Sequence, residues 1–473
     1  MIIHKAVSNG ITKILAACNG WVHLPFAGGT GTKIAFHIGK TNFTPTMKGK
    51  KMNEEIIEQL EQTFKHDFGL VSHNFADLER VVKEKMQLLG QGLLQRMVNL
   101  KPNGYQGSSI ACKCGHSMKF IQHRSRDIQT TFGWIRIKRA YYHCPDCRAS
   151  LFPYDKASGL GSFNISAAMA DACCLVATDD SFQQVSKKIE RLLGQTVCDD
   201  TVRDVVHHIG AAALREQQKL WNDFVKDRQM PQAEHKPQRL YICPDGTTVH
   251  EKDGWHETKM GCIYWDDERY QTHRRYVGRF DNSDVFGSYL WIQACRCGLR
   301  EADEIVYIGD GAAWIRTIHD RHFSKAVFIV DWFHASEHIW GCGKILFGEG
   351  TKATEQWAHK CLDLLWDGFT MKLLNYLKKQ CSRYRLTKCE AIDSLHRYIS
   401  TNEEQMRYDA FRSNGYDIGS GAVEGACKYV VGKRLKQSGM IWIRAGSSAV
   451  LALRISWLNG EWNKLWTTKP LAA

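Results

Sequence analysis

The sequence predicts an α/β fold for the C-terminal half of the chain, and three observations lead to this prediction. Three strand-like segments joined by polar turns begin at Leu240. Two helical segments alternate with two further strands after them. The last of these strands, residues 326–330, is a short and wholly apolar run of the kind found in buried sheets. A chain with this alternation forms a sheet with helices packed on its faces.

The elements of this half are delimited by apolar runs and by the polar residues that end them. Strands are predicted at residues 240–242 (ending at Asp245-Gly246), 259–265, 275–280, 305–308 (ending at Asp310) and 326–330 (ending at Asp331), and helices at 284–299 and 312–322. This is the element order of a ribonuclease-H-like α/β fold, in which the first and fourth strands are neighbours. A helical stretch from Ala335 to about Tyr408 follows.

Changes of composition and periodicity divide the whole chain into eight segments. They are a poorly defined N-terminal extension (1–52), a helical region (53–101), a zinc-ribbon-like module (102–155), a helical helix-turn-helix-like region (156–226), a linker (227–239), a ribonuclease-H-like core (240–338), an all-helical insertion (339–415) and the C-terminal part of the core (416–473). The first acidic residue is Glu54, so we expect residues 1–46 to be a poorly ordered extension or an overlong start assignment.

Composition and charge narrow the classes of function. Hydrophobic residues make up 44% of the 473 residues and charged residues 24%, which excludes a wholly disordered chain. No apolar run approaches the about 18 residues of a membrane span, so no membrane partner is expected. The net charge of +13 favours a polyanionic partner, nucleic acid first, although a basic enzyme with a solvated charged surface fits the charge equally well. The 17 cysteines, mostly scattered singly, indicate a reducing cytosol.

Two close cysteine pairs in the strand-rich module predict a structural zinc site. They are Cys112 with Cys114 and Cys144 with Cys147, and tetrahedral zinc needs four such converging ligands. The first pair is spaced CxC, which leaves His116 or His143 as substitutes for one ligand. Four incidental cysteines are the alternative. Basic residues around these pairs would suit a DNA-contacting role.

A helix pair follows this module and has the layout of a helix-turn-helix. The first helix runs from Ser181 to Leu193, Gly194 makes the turn, and the second starts near Cys198 with Asp199 or Asp200 as its N-cap. Such pairs read DNA or serve as plain scaffold with about equal frequency.

Three acidic residues carry the predicted chemistry. Asp245 and Asp310 end neighbouring strands, and Glu424 lies in the first turn of a helix after a Gly-Ser-Gly entry. Three converging carboxylates suit two Mg²⁺ or Mn²⁺ ions, which stabilise the attacking and leaving oxygens of a phosphoryl displacement. Asp331 also ends a strand and competes for the second position, but the fifth strand lies farther from the first. We therefore expect Asp331 and His334 to support the site; His334, Glu337 and His338 could also form a metal site, although hydrogen-bonded scaffold is the more common role.

Basic residues follow the third acid and predict a channel for a phosphate backbone. They are Lys428, Lys433, Arg434, Lys436 and Arg444, with the aromatic Trp442 among them. A solvated helix face is the alternative, in which Glu424 and Lys428 are only an i,i+4 ion pair.

Four motifs resemble bacterial insertion-sequence DDE transposases of the Kra group, related to the Mutator-like superfamily. They are IGDGAAWI at residues 308–315, VDWFHASEH at 330–338, GSGAVE at 419–424 and RLKQSGM at 434–440. The resemblance covers about residues 112–466. It implies a ribonuclease-H-like domain with an all-helical insertion before the last acid, a DDE triad of Asp245, Asp310 and Glu424, and a C/D-x-x-H element at Asp331 and His334. The CxC spacing and the acid-free N-terminus depart from the family pattern.

These observations predict a metal-dependent transposase that nicks DNA at the element ends and joins the freed 3′ hydroxyl to target DNA. Its expected partners are the element ends, the target DNA and further copies of the chain in the DNA complex. Its expected location is the cytoplasm, with the nucleoid when bound to DNA. A non-catalytic DNA-binding protein derived from such a transposase is the alternative, and a metal-dependent nuclease that does not join strands is a third reading.

Overall fold

In a computed structural model of the protein, residues 57, 58, 60, 62 and 74–467 are described. The chain divides into two units, residues 1–81 and 82–473. In the first unit the described residues other than Asn74 are helical. The predicted extension at residues 1–52 lies outside the described residues. Every site discussed below lies in the second unit.

The described residues form helices and two sheets, so the predicted α/β class is confirmed. The strands are β1 (Ser109–Ala111), β2 (Ser117–Thr130), β3 (Gly133–His143), β4 (Ser150–Leu151), β5 (Arg239–Glu251), β6 (Gly254–Asp266), β7 (Thr272–Arg279), β8 (Glu304–Gly309) and β9 (Val327–Val330). The helices before the second sheet are α1 (Phe75–Leu100), α2 (Pro153–Ser158), α3 (Ala167–Ala177), α4 (Phe182–Leu193) and α5 (Asp199–Val225). Those after its third strand are α6 (Ser283–Arg296), α7 (Ala313–His322), α8 (Trp332–Phe347), α9 (Lys352–Trp366), α10 (Thr370–Cys381), α11 (Thr387–Thr401), α12 (Tyr408–Ser413), α13 (Gly421–Ala426), α14 (Lys433–Leu435), α15 (Arg444–Leu458) and α16 (Trp462–Thr467).

The first sheet is antiparallel, in the order β1-β2-β3-β4. The hairpin between β2 and β3 turns at residues 131–132, and Gly133 closes it with a φ of 120°, a conformation that favours glycine. Residues 130–137, a run whose β-branched and aromatic side chains resemble a single strand, therefore cross this turn and belong to two strands. Side chains of α1 secure the helix to this sheet, as Gln91 donates to the Trp134 carbonyl over 2.6 Å.

The second sheet has five strands in the order β7-β6-β5-β8-β9. β5, β6 and β7 form an antiparallel meander, and β8 pairs in parallel with β5 through Tyr241 opposite Val306. β9 then pairs in parallel with β8. The expected adjacency of the first and fourth strands is confirmed, and so is the greater distance of the fifth strand from the first.

The long first strand of this sheet corrects one prediction. β5 continues to Glu251, so Asp245 lies inside a strand and opposite Met260 of β6, not at a strand end. The β-branched run Thr247-Thr248-Val249 suits extended backbone, and the hairpin to β6 stays paired up to its tip.

The helical stretch predicted over residues 335–408 consists of several successive helices. α8 ends at Gly348, and α9, α10 and α11 follow with short turns between them, before a 3₁₀ turn at Glu403–Met406. Cys381 and Cys389 form a disulfide that joins the end of α10 to the start of α11. The pattern of singly scattered cysteines did not predict this bridge.

The helix-turn-helix-like pair is present as α4 and α5. The Ser181 hydroxyl caps α4 by accepting from the Gln184 N–H, and Gly194 ends it in the left-handed conformation. Cys198 is the N-cap of α5, so the prediction of Asp199 or Asp200 was wrong. α5 extends to Val225 and packs on α15, where Gly210 allows a close approach because a Cβ there would lie 2.4 Å from the Ala449 carbonyl oxygen.

Among the residues that the structure describes, none of the helices has the length and apolar character that crossing a membrane requires.

Candidate active site

Two of the predicted acids lie on neighbouring strands of the second sheet. Asp245 is inside β5, and Asp310 directly follows β8, the parallel neighbour of β5. The Asp245 carboxylate accepts from the Gly246 N–H over 2.6 Å, and that of Asp310 accepts from the Ala312 N–H over 2.8 Å at the start of α7. Both carboxylates are therefore held by backbone donors, while their remaining lone pairs stay available for a cation.

The helical segment that follows the third acid contacts Asp245 through a cysteine. Glu424 and Cys427 are three residues apart where α13 passes into a wider helical turn, so both side chains lie on one face. The Cys427 thiol donates to Asp245 Oδ2 over 3.3 Å, which fixes this face against β5. Glu424 is exposed and forms an ion pair with Lys428 over 2.7 Å.

Asp245 differs from an exposed carboxyl in its electrostatics. Burial raises the pKa of the Asp245 carboxyl, and the negative charges of Asp310 and Glu424 raise it further, while donation from Gly246 and Cys427 opposes the rise. Asp245 is therefore the buried acid of the three, and ionising it without a bound cation costs free energy.

Asp331 supports the site through the backbone. Its side chain is 3% exposed; one oxygen caps α8 by accepting from the His334 N–H over 2.9 Å, and the other accepts from the Ser420 N–H over 2.5 Å. Asp331 therefore ties the Gly-Ser-Gly entry of Glu424 to the end of β9. Because both carboxylate oxygens of Asp331 accept hydrogen bonds from the backbone, its role is to position these two segments.

Tyr398, which the sequence did not single out, also contacts the site. Its hydroxyl donates to the Asp310 backbone carbonyl over 3.3 Å, from α11 of the helical insertion. Burial, and then the charges of Asp310 and Asp331, raise the pKa of Tyr398, so the hydroxyl keeps its proton at neutral pH. A helix of the insertion therefore supports the backbone at Asp310.

The basic residues predicted after Glu424 fall into two groups. Lys428, Lys433, Lys436 and Arg444 are exposed. Each has a partner on the protein, as in the ion pairs of Lys433 with Asp179 and of Arg444 with the buried Glu251. These four can still present positive charge to a polyanion.

Arg434 and Trp442 do not belong to such a surface. Arg434 is fully buried, its guanidinium lies 5.2 Å from the Phe182 ring and 5.0 Å from the Trp442 ring, and its Nε donates to the Ala177 carbonyl over 2.8 Å. Trp442 is 7% exposed and donates to the Leu435 carbonyl. Their burial corrects the prediction that they contact DNA, because a backbone phosphate does not reach either side chain. Both residues instead hold the end of α3 and the start of α4 to the C-terminal part of the chain.

The four cysteines of the strand-rich module converge. Cys112 Sγ lies 3.5 Å from Cys147 Sγ, Cys114 Sγ lies 3.7 Å from Cys144 Sγ, and all four atoms lie within 4.8 Å of one another. Sulfurs bound to tetrahedral zinc at about 2.3 Å are about 3.8 Å apart, so this arrangement could hold a metal ion.

Sequence reasoning missed Cys427 and Tyr398 for different reasons. Cys427 carries a signal, since a residue three positions after Glu424 shares its helical face. Tyr398 carries none, because its contact with Asp310 depends on how the insertion packs.

The fold is mixed α/β, with Asp245 on the central strand of the larger sheet and Asp310 at the end of the parallel neighbour of that strand. The chain belongs to the Uncharacterised protein family (UPF0236), whose model matches residues 74–467. It is 25% identical over 357 residues to the UPF0236 protein in vanSb 3′region of Streptococcus gallolyticus, an alignment that covers 71% of this chain and 73% of the relative.

Proposed function

We propose that this chain is a DDE transposase that cleaves DNA at the ends of an insertion sequence and transfers the strand into target DNA. The observation that carries the proposal is the hydrogen bond from Cys427 to Asp245, which brings the helix of Glu424 to the strand pair that presents Asp245 and Asp310. The strand order of the sheet and the helices inserted between Asp331 and Glu424 support a ribonuclease-H-like core. The resemblance of its motifs to Kra-group transposases points in the same direction.

The residues present fit a pair of Mg²⁺ or Mn²⁺ ions. Burial, and to a smaller extent the charges of Asp310 and Glu424, raise the pKa of Asp245, and carboxylate oxygens are the ligands that these hard cations prefer. Asp245, Asp310 and Glu424 would hold the ions. When bound, such ions stabilise the attacking and leaving oxygens of an in-line displacement at phosphorus.

The protein's own groups position the reaction. Asp331 and Tyr398 fix the segments that carry Glu424 and Asp310. Lys428 pairs with Glu424 in the free protein, and a phosphate that attracts Lys428 would free that carboxylate. Exposed Lys433, Lys436 and Arg444 would bind the DNA backbone near the acids.

The cysteine cluster is proposed as a structural zinc site. Four converging thiols leave no open coordination position, which is the pattern of a structural site rather than a catalytic one. The proposed reaction implies that the partner is DNA, that several copies of the chain assemble on it and that the protein is located at the nucleoid when it is bound to DNA.

The test is a cleavage and joining assay with the purified protein and labelled DNA that carries the sequences flanking its own coding region. We expect nicked and joined products with Mg²⁺, none with chelator, and none from Glu424→Gln. Glu355→Gln, which changes an exposed glutamate of α9 in the same way, should keep full activity. Cleavage without joined products would establish a nuclease, and binding without cleavage a DNA-binding protein; either result contradicts the proposal.

A further inference from the structure

Two histidines on α8 face each other beside the acidic cluster. His334 and His338 are four residues apart, so their side chains lie on one face of the helix. Their Nε2 atoms are 3.3 Å apart, and the two rings stand at 84° to each other. His338 also rests on the Tyr398 ring, with 4.1 Å between the centroids, which limits its freedom to turn away.

The separation of the two nitrogens matches that of two ligands on one metal ion. Imidazole nitrogens bind zinc at about 2.0–2.1 Å, so two of them on a tetrahedral ion are about 3.3 Å apart. A direct hydrogen bond between the rings has a similar length, and it requires one Nε2 to carry a proton while the other accepts. In a metal site both Nε2 atoms have free lone pairs, whereas in a hydrogen-bonded pair only one of them does.

The surroundings of His334 favour a free lone pair on its Nε2. Its Nδ1 lies 3.7 Å from Oε2 of Glu337, which is longer than a hydrogen bond, so the carboxylate acts through its negative charge and favours the tautomer with the ring proton on Nδ1. A carboxylate that holds the far nitrogen of a histidine is the usual outer partner of a metal ligand, since it fixes both the tautomer and the ring orientation.

The pair opens into a cavity that gives an ion access. Its volume is about 340 Å³, and it lies between α8 and α11. Its lining includes His334, Glu337, His338 and Cys342 from α8, and Ser394 and Leu395 from α11. Nitrogen, carboxylate and thiol groups therefore share one solvent-accessible space, with room for water to complete a coordination shell.

We propose that His334 and His338 bind a divalent transition-metal ion of the zinc type through their Nε2 atoms, with Glu337 as the outer partner of His334. Imidazole suits Zn²⁺, Co²⁺ and Ni²⁺, whereas Mg²⁺ prefers oxygen ligands. The site is therefore separate from the three-carboxylate site in both ligands and ion. It does not depend on the proposed transposase activity.

The test uses Co²⁺ as the probe on full-length protein loaded with one equivalent of Zn²⁺, which the four thiols bind most tightly, and kept in millimolar Mg²⁺, which occupies the carboxylates. Calorimetric titration should show one further Co²⁺ bound per chain. His338→Gln should weaken this binding by at least about tenfold, and Glu337→Gln by about tenfold as an outer partner. His359→Gln, an exposed histidine on α9, is the matched control and should change nothing.

Equal Co²⁺ affinity in wild type and His338→Gln would overturn the proposal and leave a hydrogen-bonded pair. Circular dichroism checks that the variant folds. If it does not, anomalous diffraction from wild-type crystals soaked in Co²⁺ decides the question. A peak between the two Nε2 atoms supports the site, and no peak at saturating Co²⁺ rejects it.

Discussion

The Cys427 thiol donates a hydrogen bond to Oδ2 of Asp245 over 3.3 Å and joins parts of the chain that are 182 residues apart. The contact sets the position of α13 on the sheet and thereby the position of Glu424. Burial raises the pKa of this thiol, followed by the charge of Asp245, so Cys427 stays protonated and keeps the donor role. Cys427 therefore links the segment after Glu424 to the strand of Asp245.

Cys427→Ala should weaken the site without removing a carboxylate. The substitution leaves Asp245 with one donor fewer and loosens the helix of Glu424, so we expect DNA cleavage to fall by about tenfold with DNA affinity unchanged. Cys427→Ser keeps a donor and should retain most of the activity. Measured cleavage rates that are equal for Cys427→Ala and wild type would contradict this role.

Asp245→Asn should stabilise the metal-free protein at neutral pH. Because the folded pKa of Asp245 lies above its ordinary value of 3.8, the stability that it contributes at low pH is lost as pH rises through the folded pKa. At pH 7 with chelator, the amide removes a buried charge beside Asp310 and Glu424, so scanning calorimetry should show Tm higher by about 1–2 °C.

The comparison of Tm between Asp245→Asn and wild type has two controls, one at low pH and one with Mg²⁺. Below pH 3.8 the wild-type carboxyl is protonated and the gain should vanish. Mg²⁺ should raise the Tm of wild type more than that of Asp245→Asn. A variant less stable than wild type at pH 7 in chelator would show that the carboxylate is stabilised by other groups.

Arg434→Met and Lys436→Met should separate structural from DNA-contacting cations. Arg434 is buried between two aromatic rings, so its loss leaves the Ala177 carbonyl without its donor and should cost about 1–3 kcal/mol in the free energy of unfolding. Exposed Lys436 should have little effect on stability, but its loss should reduce the salt dependence of DNA binding by about one unit of slope. The reverse assignment would follow if Lys436→Met unfolded the protein and Arg434→Met changed only the slope.

Cys144→Ser should remove the proposed structural zinc. Cys144 is fully buried among the other three thiols, whereas Cys198 is exposed and lies outside the cluster. We expect elemental analysis to find one zinc per chain less in Cys144→Ser than in wild type, together with a lower Tm because zinc ligation contributes to folding. Cys198→Ser should match wild type. An unchanged zinc content in Cys144→Ser would exclude the cluster as the site.

The order of the second sheet was predictable because its apolar runs are short and are followed by polar residues. β8 and β9 were placed to within a residue or so, since Asp310 and Asp331 end them sharply. The end of β5 was not, because Gly246 resembles a turn while pairing with β6 extends the strand beyond it. The local sequence pattern of one strand does not show how far its pairing with a neighbouring strand extends.

The sequence predicted the acids of the candidate site and the supporting role of Asp331, but not the contacts of Cys427 and Tyr398. Recognisable sequence segments contain Asp245, Asp310 and Glu424. The burial of Arg434, in contrast, depends on how α4 and the C-terminal part of the chain pack. From sequence alone, a basic residue is expected at the surface. Tyr398 comes from an insertion whose place over Asp310 exists only in the folded chain.

Binding of Mn²⁺ to the wild type and to the variants Asp245→Asn, Asp310→Asn and Glu424→Gln, followed by electron paramagnetic resonance, tests the central claim most directly. It needs no knowledge of the DNA ends. If the three carboxylates form one site, each substitution should weaken Mn²⁺ binding by at least about tenfold, while Glu355→Gln binds as wild type does. Unchanged Mn²⁺ affinity in Asp245→Asn and Glu424→Gln would contradict the account, because those residues would then not share a cation.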